Sequence, residues 1–304
     1  MNPNVSILMT GATGFVGANL STYLKDCGWD IAPLSLRNKN WKSQISGQEA
    51  IYIHLAGKAH DMKNASDEKA YFDINTDLTI ELFEHFKTST AHTFVYFSSV
   101  KAAADTVSGM LTEEAQPAPQ TAYGKSKLAA ETYLLSQVLA ADKKVIIIRP
   151  CMIHGPGNKG NLNLLFQFVS KGIPYPLAAY HNERSFVGID NLCIVIEKIL
   201  RDTRFPSGVY NLADDGAIST NQLVRILANT NDKNARLWKI PRGMIRFAAK
   251  IGDFFRLPLN TDRLQKLTEN YIVSNAKLKQ ALQIDKMPFS IEEGLRKTIA
   301  SFSK

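Results

Sequence analysis

Tyr123-Gly124-Lys125-Ser126-Lys127 sets a phenol and an ammonium four residues apart. The segment opens a stretch of helical patterning from Thr121 to Ala141, and that spacing stacks the two side chains on one helical face. A phenol near pKa 10 is a poor acid or base at neutral pH, whereas a fixed cation close by favours the phenolate and lowers that pKa. Bringing it down to about 7 takes roughly 4 kcal/mol of differential stabilisation, at 1.36 kcal/mol per unit. A lysine alone is a poor source of all of it, so a second helper is expected. Tyr123 and Lys127 are the first candidate catalytic residues, and Ser98-Ser99, at the end of the apolar run Thr93–Phe97, supply a hydroxyl partner.

The N-terminus suggests what the helper is. Val5–Met9 is a short apolar run of the kind that forms a buried parallel strand. Thr10-Gly11-Ala12-Thr13-Gly14-Phe15-Val16-Gly17 follows at once, and Ala18–Cys27 reads as a helix with Leu20, Tyr23 and Leu24 on one face. In such a strand–turn–helix unit Gly11 permits the tight turn, Gly14 lets the backbone approach a pyrophosphate, and Gly17 lets the helix pack closely on the strand. The amides at the helix N-terminus then hold the phosphates. A dinucleotide fold often ends its second strand, here Ile31–Leu36, with an acid that binds the adenosine ribose. This chain instead has Arg37 and then Lys39. Cations there suit a 2′-phosphate, which favours NADP(H), with NAD(H) the alternative.

Alternating segments must position these residues. Ala50–Leu55 and Lys144–Arg149 read as further strands and Ala70–Lys87 as a helix, so strands and helices alternate through the first half of the chain. Such alternation indicates a doubly wound parallel sheet with helices on both faces. Gly11–Gly17, Ala56-Gly57, Ser98-Ser99 and Pro150-Cys151 all follow strand ends, and ligands of such sheets sit beyond those carboxyl ends. Beyond Pro150 the pattern loosens into a smaller, discontinuous C-terminal α/β part. Ser185–Ile189 and Gly208–Leu212 still look like sheet partners. The expected division is a nucleotide-binding domain over 1–150, with returning segments near 185–213, and a substrate-binding domain over 151–184 and 214–304.

At 304 residues, with 45% hydrophobic content, the chain is ample for one nucleotide-binding domain plus a smaller one. No apolar run reaches membrane-spanning length, and the N-terminus lacks a signal peptide's basic start and apolar core. Cys27, Cys151 and Cys193 have no metal-type spacing, no other cluster does either, and their scatter fits a reducing cytoplasm. No metal is expected. The net charge of +8 is uneven: Lys233–Lys304 carries 15 Lys/Arg and 6 Asp/Glu, a net of +9, so the first 232 residues sum to −1. A basic segment can attract an anionic substrate, membrane or nucleic acid. No nucleic-acid module accompanies it, which argues against the last. Trp238–Leu257 has the pattern of a basic amphipathic helix, able to touch a membrane; the commoner arrangement packs the apolar face on the domain and leaves the basic face wet.

Together, Thr10-Gly-Ala-Thr-Gly-Phe-Val-Gly17, His54-Leu-Ala-Gly57, Asn75, Ser98-Ser99, Tyr123-x-x-x-Lys127 and Arg149-Pro150 resemble an extended short-chain dehydrogenase/reductase of the NAD-dependent epimerase/dehydratase family. His154-Gly-Pro-Gly157, Arg184-Ser-Phe-Val-Gly-Ile-Asp190-Asn191 and Ile291-Glu-Glu-Gly-Leu295 extend the likeness over nearly the whole chain. Phe94–Lys101 and His154–Asn161 look most like a bacterial UDP-glucose 4-epimerase-like subfamily that includes reductases forming UDP-N-acetylquinovosamine for surface polysaccharide. The resemblance implies a Rossmann fold and catalysis by Ser99, Tyr123 and Lys127. Ser99 would bond the sugar C4 oxygen, with Ser98 the runner-up. Thr13, Phe15, Val16, Leu55, Ala56, Gly57, Asn75, Ser98 and Pro150 join the three glycines, Arg37, Tyr123 and Lys127 as expected cofactor contacts. Arg184 and Asn161 match contacts to substrate phosphate, and a homodimer is expected. In this family the lysine also binds the nicotinamide ribose, and the positive ring of the oxidised cofactor lowers the tyrosine pKa.

The implied reaction is reduction of a UDP-4-keto-6-deoxy-hexosamine. A UDP-hexose or UDP-N-acetylhexosamine 4-epimerase is the alternative, and a sugar carried on a polyprenyl diphosphate is a variant. A non-catalytic nucleotide-binding regulator is the alternative from another class. The chain departs from the family pattern at His154, where Tyr is usual, and at Ala104, where Gly is common. His60 and His154 are weaker candidates for the sugar pocket.

Overall fold

The computed structural model of the chain describes residues 5–59, 68–158, 161–230, 233–255, 257 and 259–303. Its centre is a six-stranded parallel sheet: β1 Ser6–Thr10, β2 Asp30–Leu34, β3 Glu49–His54, β4 Thr93–Phe97, β5 Lys144–Pro150 and β6 Gly208–Leu212. The order across the sheet is β2-β1-β3-β4-β5-β6. The strand order therefore reverses between β1 and β3, and a ligand crevice belongs at the carboxyl ends of those two strands. Those ends are occupied by the Gly11 turn and by Leu55-Ala56-Gly57.

The strands form because both of their faces are buried. In β1, Ile7 and Met9 join one apolar cluster and Leu8 the other. In β4, Val95 and Phe97 face one cluster while Phe94 and Tyr96 face its counterpart, and β5 divides Ile146 and Ile148 from Val145 and Ile147 in the same way. Period-2 alternation between two apolar layers is why these runs read as continuous hydrophobic stretches. On one side lie α1 (Phe15–Asp26) and α6 (Ile189–Arg201). On the other lie α2 (Glu68–Phe72), a π-helical turn over Asp73–Asp77, α3 (Leu78–Thr88) and α4 (Ala122–Ser136).

A third apolar cluster stands off the sheet. It gathers Leu162 and Phe166 of α5 (Asn161–Ser170), Leu223 and Leu227 of α7 (Thr220–Asn229), Ile245 and Ala249 of α8 (Arg242–Phe255), Leu264 of α9 (Thr261–Thr268), and Leu295 and Ile299 of α11 (Ile291–Ala300). The last hundred residues are not confined to it. Leu278 of α10 (Ala276–Leu282) and Met287 return to the sheet-side cluster.

Three expectations change. Ser185–Ile189 does not enter the main sheet; Phe186–Gly188 pairs with Met152–His154 in a separate two-stranded sheet, because β6 already covers the free edge of β5. The helix carrying Tyr123 stops at Ser136 instead of Ala141, since its buried stripe of Ala130 and Leu134 ends there and Val138 is fully in solvent. The Trp238–Leu257 helix begins only at Arg242, after Pro241, which lacks the amide a continuing helix needs. Among the described residues no helix is long and apolar enough to cross a membrane.

Candidate active site

The glycine turn is dictated by sterics. Gly11 has φ +70°, and a Cβ there would lie 2.7 Å from the Ala56 amide nitrogen. A Cβ on Gly17 would lie 2.1 Å from the Gly11 carbonyl oxygen, so the first turn of α1 can meet β1 only without a side chain. Gly14 takes the N-cap position in extended conformation, and no side chain caps the helix. The first-turn amides of α1, from Phe15, Val16 and Gly17, are left to an external anion. Thr13 is exposed beside them. Across the crevice, Leu55, Ala56 and Gly57 leave β3, and a Cβ on Gly57 would meet Asn75 Oδ1 at 2.9 Å and Lys127 Nζ at 3.1 Å.

Below the crevice a buried polar chain ties these pieces together. The Ala56 amide donates to Thr10 Oγ1 (3.2 Å), which is 2.6 Å from His54 Nδ1. His54 Nε2 is 2.9 Å from Thr79 Oγ1, and that hydroxyl donates to the Asn75 carbonyl at 2.7 Å. Because Thr79 spends its proton on Asn75, it must accept from His54, which fixes the Nε2–H tautomer and makes Nδ1 the acceptor from Thr10. Burial, with the Lys127 charge adding to it, pushes the His54 pKa down to about 3, so the ring is neutral.

Asn75 sits within the π-helical turn, fully buried. Its amide group accepts from the Lys58 amide (2.7 Å) and donates to the Lys58 carbonyl and to Ser126 Oγ, both at 3.0 Å. Ser126 donates to the Tyr123 carbonyl at 2.9 Å, and Thr76 Oγ1 donates to the Ser126 carbonyl at 2.8 Å. Asn75 thus clamps the Gly57-Lys58 backbone against the helix bearing Tyr123 and Lys127.

That helix is fixed at its start as well. Thr121 caps α4 by accepting from the Gly124 amide, and Asp105 accepts from the amides of Gln120 and Thr121. A Cβ on Gly124 would lie 2.4 Å from the Lys101 carbonyl oxygen, so this glycine lets α4 touch the short 3-10 turn Val100–Ala102 that follows Ser99. Asp105, Gly124 and Ser126 had no assigned part in the sequence reading. A glycine inside a helix was the available signal, since it costs about 1 kcal/mol against alanine and calls for a packing reason.

Ser99 is buried and hydrogen-bonds Tyr123, while its Oγ accepts from the Lys101 amide at 3.2 Å. Burial raises the Tyr123 pKa above its ordinary value, the Ser99 bond opposes that shift, and Tyr71, in edge contact at 6.4 Å, adds to it. The lowering expected from the lysine together with an oxidised cofactor's positive ring is a separate effect, and the protein's own groups hold the phenol high. Lys127 Nζ is instead committed to the Phe97 carbonyl oxygen at 2.9 Å and lies 4.8 Å over the Tyr96 ring. Burial lowers the Lys127 pKa to about 8, against the opposing charge of Glu131 one turn on. Glu131 is itself buried and chelated by Arg149, whose Nε donates to its two oxygens at 2.9 and 3.1 Å.

The remaining candidates lie around this centre. Ser98 is buried with no hydrogen-bond partner for its Oγ among the described residues, and Pro150 ends β5 beside it. Arg37 is exposed in the turn just beyond β2. Arg184 reaches the Lys266 carbonyl and stands 3.9 Å from Glu269, with its Nε buried and unpartnered among the described residues. Its neighbour across the backbone bridge, Tyr271, donates to the Val100 and Ala104 carbonyls (3.2 and 2.6 Å), which brings Arg184 to the Ser99 side of the crevice. Asn161 opens α5, but its side chain and all of His60 lie outside the described residues. His154 is not in the crevice: it is buried, with Nδ1 2.8 Å from Thr298 Oγ1.

The cradle fits a dinucleotide: an uncapped helix N-terminus, two glycines that tolerate no Cβ, and an orphaned buried hydroxyl at Ser98. The sequence profile of the NAD dependent epimerase/dehydratase family matches residues 7–213. The chain belongs to that family. Among its relatives, a UDP-glucose 4-epimerase of Vibrio cholerae is 31% identical over 98% of this chain and 95% of its own length. The N-acetyl-alpha-D-glucosaminyl-diphospho-ditrans,octacis-undecaprenol 4-epimerase of Escherichia coli O157:H7 is 26% identical over the same shares, 98% and 95%. The structure of RMD from Pseudomonas aeruginosa complexed with NADPH superposes with a TM-score of 0.77 at 21% identity, covering 98% of this chain and 99% of that one, which speaks for the fold. Within this epimerase/dehydratase, Ser99, Tyr123 and Lys127 are the side chains whose chemistry the crevice brings together.

Proposed function

We propose that the protein is an NADP(H)-linked reductase acting at C4 of a UDP-4-keto-6-deoxy-hexosamine, giving UDP-N-acetylquinovosamine or a close analogue for surface polysaccharide. The observation that carries the cofactor preference is the carboxyl end of β2, where the turn offers the exposed cation of Arg37 and no acid. Gly11–Gly17, Leu55–Gly57, Asn75, Ser98, Lys127 and Pro150 would hold the dinucleotide, which when bound supplies the hydride. Tyr123, whose pKa is raised by burial, keeps its proton at pH 7 and can deliver it to the C4 oxygen as the carbonyl becomes an alcohol. Ser99 hydrogen-bonds the same oxygen and orients it. Lys127, near 8, stays charged at pH 7 beside the forming phenolate. Arg184, with an unspent buried N–H, and Asn161 at the start of α5 bind the diphosphate in this reading.

The proposal carries the division into a nucleotide part (1–150 and 185–213) and a substrate part (151–184 and 214–304), together with a cytoplasmic location. It also carries a homodimer.

Incubation with UDP-4-keto-6-deoxy-N-acetylglucosamine and NADPH should consume NADPH and yield a product two mass units heavier. No NADPH oxidation at any enzyme level would sink the reading. The relationship to the Vibrio cholerae UDP-glucose 4-epimerase favours a second one, UDP-hexose 4-epimerisation. It predicts NAD copurifying with the enzyme, a product of unchanged mass and no net cofactor turnover.

A further inference from the structure

The amphipathic helix singled out in the basic C-terminal segment is mounted in an unexpected way. α8 buries only Ile245, Ala249 and Gly252. Its large apolar side chains face solvent: Met244 is 63% exposed, Phe247 67%, Phe254 82% and Phe255 65%. At about 100° per residue, Met244, Phe247, Ala248, Ile251, Phe254 and Phe255 share an arc of roughly 120°, beside the buried arc. The expected packing of the apolar face onto the domain is therefore replaced by docking through the small residues.

That mounting is fixed. A Cβ on Gly252 would lie 1.7 Å from the Leu259 carbonyl oxygen, so the helix approaches the turn before α9 more closely than any other residue would allow. Asp253 accepts from the Thr261 amide at 3.0 Å and from its hydroxyl at 2.5 Å, which ties the helix end to α9 and engages the helix's one carboxylate. On the far flank of the aromatic arc stand Arg246 and Lys250, both exposed and in no ion pair among the described residues.

We propose that α8 is a membrane-docking element that seats the enzyme on an anionic bilayer surface. Phe247, Phe254 and Phe255 enter the boundary between headgroups and acyl chains, and Arg246 and Lys250 meet lipid phosphates at its edge. Charge decides the occupant. A second copy of this chain, paired through the same stripe about a two-fold axis, would set Arg246 and Lys250 against their own counterparts, with only the engaged Asp253 to offset them. A membrane rich in acidic lipid offers an apolar layer flanked by negative charge, which matches this face. The inference holds for a reductase and an epimerase alike.

The test is cosedimentation of the full chain with vesicles of phosphatidylcholine alone and with 30% phosphatidylglycerol, at low and high salt. Binding should require phosphatidylglycerol and fall as salt rises. Arg246→Gln/Lys250→Gln should weaken it about tenfold or more, at a few-fold per cation. Phe247→Ser/Phe254→Ser should weaken it by at least as much, while leaving cofactor binding and the unfolding midpoint unchanged, since both rings are exposed. Absence of cosedimentation with phosphatidylglycerol vesicles at low salt overturns the proposal. So does vesicle binding that ignores the phenylalanine variant, or a phenylalanine variant that changes only the oligomeric state in gel filtration.

Discussion

Lys127→Met tests the electrostatics of the site most directly. The buried ammonium has a pKa near 8 in the folded protein and 10.5 in the unfolded chain. Those 2.5 units correspond to about 3 kcal/mol by which the folded state is penalised, at neutral pH, for holding the charge. The sign follows from proton counting. Between about pH 8 and 10.5 the unfolded chain binds a proton at Lys127 that the folded protein has released, so stability rises with pH at up to about 1.4 kcal/mol per unit. The methionine variant has no such proton. It does leave the Phe97 carbonyl without its donor, a loss of about 1–3 kcal/mol that is independent of pH. Urea unfolding of cofactor-stripped protein at pH 7, 8, 9 and 10 should therefore show wild type gaining roughly 2 to 3 kcal/mol on the variant across that range. Near pH 7 the two should be close, although the variant's turnover is lost. Parallel stability curves would refute the assignment of a burial-depressed lysine.

Three further outcomes follow from the same geometry. Tyr123→Phe should retain nucleotide binding, measured by fluorescence, and lose about 10³ in turnover, because only the proton carrier is removed. Gly17→Ala would put a methyl 2.1 Å from the Gly11 carbonyl; it should abolish dinucleotide binding and lower stability by about 1–3 kcal/mol in denaturant titration. His54, held near 3 against an ordinary 6.5, contributes stability that is full above about pH 6.5 and is lost as pH falls towards 3. Stability should drop by about 2 kcal/mol between pH 6.5 and 5 from this group, and His54→Gln should flatten that part of the profile.

The sheet was legible because its strands are buried on both faces. Ile7-Leu8-Met9 and Phe94–Phe97 satisfy two apolar layers at once, and no other use of such runs fits chains flanked by helices. The glycine turn was legible for a local reason: its steric demands all arise within seven residues and the strand end beside them. Residues that act across the sequence were not. Asn75 and Ser126 are 51 positions apart, and Asp105 grips Thr121 from 16 away, so no periodicity or spacing announces either bond. Arg149 was visible as a strand end and within the Arg149-Pro150 motif, but its buried partner Glu131 lies 18 residues earlier on the helix bearing Tyr123, and no spacing pairs the two. Ser185–Ile189 looked like a sheet partner because a short apolar run does not say which edge is free.

The burial of Tyr123 bears on the direction of the chemistry. Spacing alone suggests a lysine that acidifies a phenol. In the folded protein, burial acts on both groups and moves them apart: the phenol upward from 10.0 and the ammonium down from 10.5 to about 8. Each change disfavours the charged form. The resting pair is therefore a protonated tyrosine beside a weakly held cation, a state from which the phenol can donate its proton. Acting first as a base, as an epimerase must, requires positive charge to enter the same desolvated space, where a single charge at short range has a large effect. The pH dependence of the two half-reactions should therefore differ: carbonyl reduction should hold its rate to lower pH than carbinol oxidation, because only the latter begins by taking a proton onto Tyr123.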